Sequence, residues 1–296
     1  IYVQPKGNLV ALRRPDASVS AGNVLRDLIQ SGLVPCIHLE RVFRQAAESL
    51  IVTNAHAIVR GEMPDLGCRT GDFFFLEQPD AFAQQRLVVD LVSRRLPKSY
   101  GYDPLRDIQV ITPAKQGPLG TRELNRLLQG KLNPPERGKG EATLMGRTLR
   151  EGDKVMQIRN NYDIIWQQPD GTAGTGIFNG DMGIIEMLDP GSKTIQVRFE
   201  EKLATYSFEN QDQLEHAYAV TVHKSQGSEF EAVVMPLERR HPKLHYRNLL
   251  YTAVTRARKL LIMTGQKETV YAMVQNNRRT LRYTNQREML QEMCDE

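Results

Sequence analysis

The chain has 296 residues, enough for one large or two modest domains with a sizeable core. Its 40% hydrophobic and 25% charged residues exclude a low-complexity or fibrous polypeptide, and no apolar run approaches the ~18 residues of a membrane span. Three scattered cysteines, Cys36, Cys68 and Cys294, argue for a reducing, cytoplasmic setting and against a disulfide frame or a metal site. The net charge of +4 is a weak argument for a polyanionic partner. Its distribution says more, because Arg239 to Lys259 holds seven Lys or Arg and no Asp or Glu, with Arg278, Arg279, Arg282 and Arg287 beyond. Such clustering is an electrostatic footprint for phosphates. A solvated basic face is the competing reading. No signal peptide is visible, and a start at Ile1 points to a piece of something longer.

Residues 1–19 carry little pattern. Val24, Leu25, Leu28 and Ile29 then have helical spacing, stopped by Ser31-Gly32, and Leu33–Leu39 suits a short buried strand. The spacing predicts a helix from about Arg41, with Phe43, Ala46, Ala47, Leu50, Ala55 and Ile58 on one face and Gly61 as its cap. Phe73–Leu76 reads as a strand, Ala81–Leu96 as a helix, Asp107–Thr112 as a strand and Leu119–Leu132 as a helix. This alternation argues for a parallel α/β sheet. After a Pro/Gly/charged linker at 133–140, short alternating segments split by Asp-Gly, Asn-Gly-Asp and Asp-Pro-Gly turns predict a small antiparallel β unit as far as about Phe208. The glycine-rich run Gly171–Gly176 is expected to be a turn, and Asn160, Asn161, Asn179, Gly180 and Asp181 read as turn formers. The α/β pattern returns near Glu215, with strands at Ala217–Val222, Ala232–Met235 and Leu260–Thr264 and a helix over Arg247–Arg256. The organisation expected is a junction at 1–21, an α/β domain formed by 22–135 and 215–296, and an inserted β module at 140–214.

Two late segments carry the chemistry. Thr221-Val222-His223-Lys224-Ser225-Gln226-Gly227-Ser228-Glu229-Phe230 gathers hydroxyls, an imidazole, an ammonium, an amide and a carboxylate around one glycine. Leu250–Arg258 (LYTAVTRAR) places Arg256 and Arg258 at the end of an amphipathic helix. Earlier come Leu39–Gln45 (LERVFRQ), Ile111-Thr112-Pro113 with Gly117–Gln129, and Gly152-Asp153-Lys154-Val155-Met156 with Asn160-Asn161-Tyr162 and Asn179-Gly180-Asp181. In this order and at these spacings, over roughly Gly22 to Gln266, the segments resemble the RecD-like helicases, the 5′-to-3′ branch of superfamily 1.

The resemblance implies a RecA-like parallel-sheet domain carrying an inserted Src-homology-3-like barrel. It also implies ATP and Mg²⁺ as cofactors, single-stranded DNA as partner, no membrane, and roles in DNA repair or recombination. Arg44 and Arg256 would be arginine fingers. A guanidinium can meet two γ-phosphoryl oxygens at once as charge spreads over them, which is worth ~10³ or more in rate. Gln45, Gln226, Gly227, Glu229 and Tyr251 would line the nucleotide. Thr112, Thr221, His223 and Lys224 would grip the strand through its phosphates, which suits a motor that must not read sequence. For Thr221 and His223 the alternative is capping of a following helix, for Arg44 a structural salt bridge, and for Arg256 an ordinary surface position. Trp166 either stacks a base or packs on the barrel.

A phosphate-binding loop needs GxxxxGK[ST], and no Gly-Lys-Ser or Gly-Lys-Thr occurs in the chain. In the family that loop, and the acidic pair that holds the metal, belong to a preceding RecA-like domain. Ser18-Val19 match the family's junction, but Pro15, Asp16 and Ala17 stand where it has Gln-Leu-Pro. The expectation is therefore the C-terminal half of a motor, inactive alone. A non-catalytic strand-binding relic and the helicase part of a conjugative relaxase remain as alternatives.

Overall fold

The computed structural model describes residues 49–144, 146–240 and 242–277, with the backbone of three short strands upstream, β1 (Tyr2–Val3), β2 (Leu9–Arg13) and β3 (Cys36–His38). β1 is antiparallel to β2, and β2 is parallel to β3. The helix expected around Gly22–Leu25, the segment with Arg44 and Gln45, and the arginines beyond 277 lie outside the described residues.

Then follow α1 (Leu50–Arg60), β4 (Phe73–Glu77), α2 (Ala81–Asp90), which passes through a π turn at Leu91–Arg95 into α3 (Leu96–Tyr100), β5 (Ile108–Thr112) and α4 (Thr121–Leu132). Next is the β-rich stretch: β6 (Glu141–Leu144), β7 (Arg147–Arg150), β8 (Lys154–Gln157), β9 (Asn161–Gln167), β10 (Ala173–Ile177), β11 (Met182–Asp189), β12 (Thr194–Phe199), β13 (Lys202–Ser207) and β14 (Leu214–His216). The chain goes on through β15 (Ala219–Thr221), β16 (Phe230–Pro236), α5 (Arg247–Val254), β17 (Ala257–Gly265) and α6 (Lys267–Gln275).

Five strands form a parallel sheet in the order β15-β5-β16-β17-β4. Its strands are apolar on both faces, as a sheet covered by helices on each side requires. Along β16 and β17, Val233, Met235, Leu261 and Met263 pack with Ile51 and Ile58 of α1, Leu249 and Leu250 of α5 and Val270 of α6. The alternate residues Ala232, Val234, Leu260 and Ile262 pack with Val88 of α2 and Leu124 and Leu128 of α4.

The β8–β14 strands form a seven-stranded antiparallel sheet, in the order β10-β9-β13-β12-β11-β8-β14, around a separate core of Val155, Ile164, Ile185, Val197, Phe199 and Tyr206 among others. Because β8 and β14 are neighbours, the chain leaves this module beside the point where it arrives, so an insertion disturbs the parallel sheet little. A buried carboxylate ties the two ends together. Asp153, fully buried, accepts from Gln129 Nε2 (2.7 Å) and Asn133 Nδ2 (2.6 Å) of the α4 region, the Arg150 amide (2.8 Å) and Tyr218 Oη (2.8 Å), with His216 Nε2 at 3.2 Å. Burial alone raises its pKa; the hydrogen bond and charge of His216, with Asn133 and the Arg150 amide, outweigh that and leave it below the ordinary aspartate range.

Two expectations need correction. The helix predicted from Arg41 to Gly61 is not continuous, because Ser49 is extended (φ −72°, ψ 119°) and its hydroxyl accepts the Val52 amide, so Ser49 is an N-cap and a helix begins at Leu50. The run Gly171–Gly176 is not all turn. Ala173–Ile177 is β10, an edge strand paired with β9, whose small residues give no alternating signal. Trp166 is partly buried against the barrel core, with the Lys202 ammonium 4.8 Å from its ring centroid, in keeping with the packing alternative.

Candidate functional site

The two chemical segments sit at opposite ends of the parallel sheet. Thr221 closes β15 and Thr112 closes β5, and the two are register partners. Arg256 precedes Ala257, which pairs with Phe230 where β17 and β16 begin. Pro236, the last residue of β16, is six residues beyond Phe230, so the two ends are separated by about 20 Å along the strands.

From Thr221 the chain folds into successive turns. The Thr221 Oγ1 accepts from the Lys224 amide (3.3 Å), the Ser225 amide donates to the Thr221 carbonyl (3.0 Å), and the buried Ser225 hydroxyl donates to the Val222 carbonyl (2.9 Å). Thr221 thus caps these turns; no α-helix follows it, so the helix-capping alternative is recast as turn capping. Gly227 takes φ +94°, a conformation that L side chains rarely adopt. His223 is exposed, with Nε2 3.4 Å from the Tyr246 hydroxyl. Lys224 Nζ donates to Asn179 Oδ1 (2.9 Å) on the inserted module. Burial lowers the Lys224 pKa, Glu215 opposes that, and the nearby Lys115 adds to it.

The other end is built around Arg256. Its Nη1 donates to the Ser228 carbonyl (2.8 Å), its Nε to the Thr252 carbonyl (3.0 Å) and its Nη2 to Thr255 Oγ1 (3.3 Å), while its own carbonyl accepts the Phe230 amide (2.9 Å). One guanidinium therefore joins the α5 terminus to the end of the Thr221 segment. Glu229 lies 4.0 Å from Arg258, which also approaches Glu231 at 3.6 Å. Gln226 and Gly227 are exposed on the same segment.

The remaining expected residues divide. Tyr251 is 7% exposed and packs into the core beneath α5, not onto an open cleft. Thr112 is 1% exposed and its Oγ1 donates to the Leu119 carbonyl (2.7 Å), so its hydroxyl proton holds the loop before α4 and is not offered to a phosphate. Arg44 and Gln45 lie outside the described residues. Among the described residues no group of three or more His, Cys, Asp or Glu side chains is placed to hold a metal ion. The Lys224–Asn179 link and the Asp153 cluster had no sequence signal beyond the presence of the motifs that contain them.

A double-covered parallel sheet, interrupted by an antiparallel module, defines a RecA-like α/β domain with an inserted small β unit. The comparisons place it further. The model of the ATP-dependent RecD-like DNA helicase SH3 domain matches residues 124–199, and that of the UvrD-like helicase C-terminal domain matches residues 216–264. The ATP-dependent RecD2 DNA helicase of Deinococcus radiodurans is 34% identical over 247 residues, covering 83% of this chain and 31% of that protein. The RecBCD enzyme subunit RecD of Mycolicibacterium smegmatis is 27% identical over 303 aligned positions, covering 97% of this chain and 50% of that one. A solved Pif1 helicase from Bacteroides, in complex with ADP-AlF3 and ssDNA, is 17% identical with a TM-score of 0.46, over 80% of this chain and 53% of that one. The chain is similar to the RecD-like helicases along these spans, and it covers 31% and 50% of the length of the two curated relatives named. No helix among the described residues is long and apolar enough to cross a membrane.

Proposed function

We propose that this chain is the second motor domain, with its inserted barrel, of an ATP-dependent RecD-like DNA helicase. In this reading residues 22–135 and 215–296 form the RecA-like domain, 140–214 the barrel and 1–21 the junction. ATP and Mg²⁺ are held chiefly by a first RecA-like domain outside these residues. The observation that carries the reading is the continuity of the Thr221–Ser228 segment, which starts among donors at one end of the sheet and finishes on the Arg256 guanidinium at the other.

When bound, ATP supplies the phosphoryl group whose transfer to water does the work. The planar fork of Arg256, which bonds to the Ser228 and Thr252 carbonyls, would meet the charge that develops on phosphoryl oxygens. Arg44 and Gln45, which lie outside the described residues, would act with it, and Gln226, Gly227 and Glu229 would line the nucleotide, with Tyr251 supporting these three from the core. Releasing Ser228 frees the end of a segment whose other end holds Thr221, His223 and Lys224. These three grip backbone phosphates without reading bases. Nucleotide state is thus coupled to strand grip through one stretch of chain, as hinge-type motors require.

The test is Arg256→Ala in the complete native protein. ATP turnover should fall about 10³-fold while strand affinity stays essentially unchanged. Equal loss of both would move Arg256 into the strand path and overturn the assignment.

A further inference from the structure

The inserted module carries exposed aromatic surface directly beside the strand-gripping segment. Along β9 the alternation that buries Ile164 would also bury Tyr162, yet Tyr162 is 66% exposed. The cause is a register shift. Asn161 pairs with Ile177 and Ile165 with Thr175, so Tyr162–Ile164 stand opposite the single residue Gly176. A bulge of this kind turns a side chain outward. Gly176 has φ +98°, and a Cβ there would lie 3.1 Å from Phe178 Cζ, so the glycine lets the Phe178 ring fold back over the bulge. Phe178, 40% exposed, meets Tyr162 edge to face with ring centroids 5.5 Å apart and an interplanar angle of 71°. This contact fixes two exposed rings against each other, which scattered surface aromatics do not achieve.

The pair is next to the basic donors. Phe178 precedes Asn179, whose Oδ1 accepts from Lys224 Nζ (2.9 Å) and whose amide donates to Asn160 Oδ1 (3.0 Å), two residues before Tyr162. Lys115 is close enough to lower the Lys224 pKa, and the exposed His223 is one residue away. Cationic donors flanked by fixed aromatic faces match a single strand, whose phosphates meet the first and whose unpaired bases meet the second.

We infer that Tyr162 and Phe178 form a base-stacking platform for single-stranded nucleic acid, continuous through Asn179 with the phosphate contact at Lys224. The inference rests on the strand-gripping reading above and gives it a residue-level site on the module. A strand lying there spans both the motor loop and the barrel, so the Lys224–Asn179 bond keeps the two halves of the grip in register.

The 296-residue chain is titrated with oligothymidylate and with an abasic oligodeoxynucleotide of equal length across a salt series, beside Tyr162→Ala/Phe178→Ala and Lys224→Ala. The unaltered chain should prefer the thymidylate about tenfold or more, since stacking needs bases and phosphate contacts do not. The double substitution should erase that preference while keeping the salt slope and melting temperature. Lys224→Ala should lower the slope by about one and keep the preference. A double variant that discriminates as well as the unaltered chain overturns the platform and leaves the gripping loop standing. A chain that binds neither oligonucleotide removes the gripping reading and the platform together. A concentration-dependent dimer dispersed by the double substitution would assign the rings to self-association and overturn the inference.

Discussion

Single side chains in this domain divide by where their polar atoms are committed. Thr112 and Thr221 are equivalent in sequence reasoning, both being hydroxyl residues at the end of a parallel strand. Both residues are buried, but the Thr112 hydroxyl donates to the Leu119 carbonyl, whereas the Thr221 oxygen accepts the Lys224 amide. Thr112→Val should therefore lower the urea unfolding free energy by about 1–2 kcal/mol, by stranding a buried carbonyl, and leave strand affinity unchanged. Lost affinity at unaltered stability would return Thr112 to the strand path. The distinction was not legible in the sequence, since it depends on the return of the chain through Leu119. Arg256 was legible as an arginine worth naming. That its fork is held by the carbonyls of Ser228 and Thr252 was not, because backbone acceptors carry no residue signature.

At the scale of elements, the junction between sheet and module concentrates buried polarity. Lys154, the first residue of β8, is 5% exposed and its Nζ donates to the Ile108 carbonyl (3.3 Å) at the start of β5. Burial pushes its pKa down to about 8, with Asp103 and Asp107 opposing. A lysine whose folded pKa is depressed binds its proton more readily in the unfolded chain. Between about pH 8 and the ordinary lysine value near 10.4, stability from this group accordingly rises with pH. Lys154→Met should stabilise the chain at pH 7 by on the order of 1–3 kcal/mol. The gap between variant and unaltered protein should narrow as pH climbs toward 10, read by urea unfolding at each pH. A gap independent of pH would contradict a depressed lysine. Elements with a clear pattern were well predicted from sequence: β12 by alternation, β5 and β16 as short apolar runs buried on both faces, and α4 by its helical period. Failures fell where a cap or a small residue decides. Ser49 starts a helix inside an unbroken apolar pattern, and β10 is a strand of Ala, Gly and Thr whose partner, not its composition, makes it one.

For the whole molecule, a parallel sheet covered on both faces leaves only its strand ends for function, in keeping with the general placement of ligands at the ends of open α/β sheets. The two polar segments lie at both ends. Thr221, His223 and Lys224 stand at and past the end of β15, the Arg256 guanidinium precedes β17, and the antiparallel module is held to the first through Lys224–Asn179. The α/β domain with an inserted β unit was readable from pattern alone. The coupling between ends was not, because it needs the register of β5, β15, β16 and β17 at once. The central claim is that the chain provides half of a nucleotide site. It is tested most directly by ATP hydrolysis of the 296-residue chain, with and without single-stranded DNA, beside Arg256→Ala. The account predicts no turnover above background in any of these conditions. Strand-stimulated turnover that Arg256→Ala abolishes would show a complete nucleotide site within the chain and contradict it.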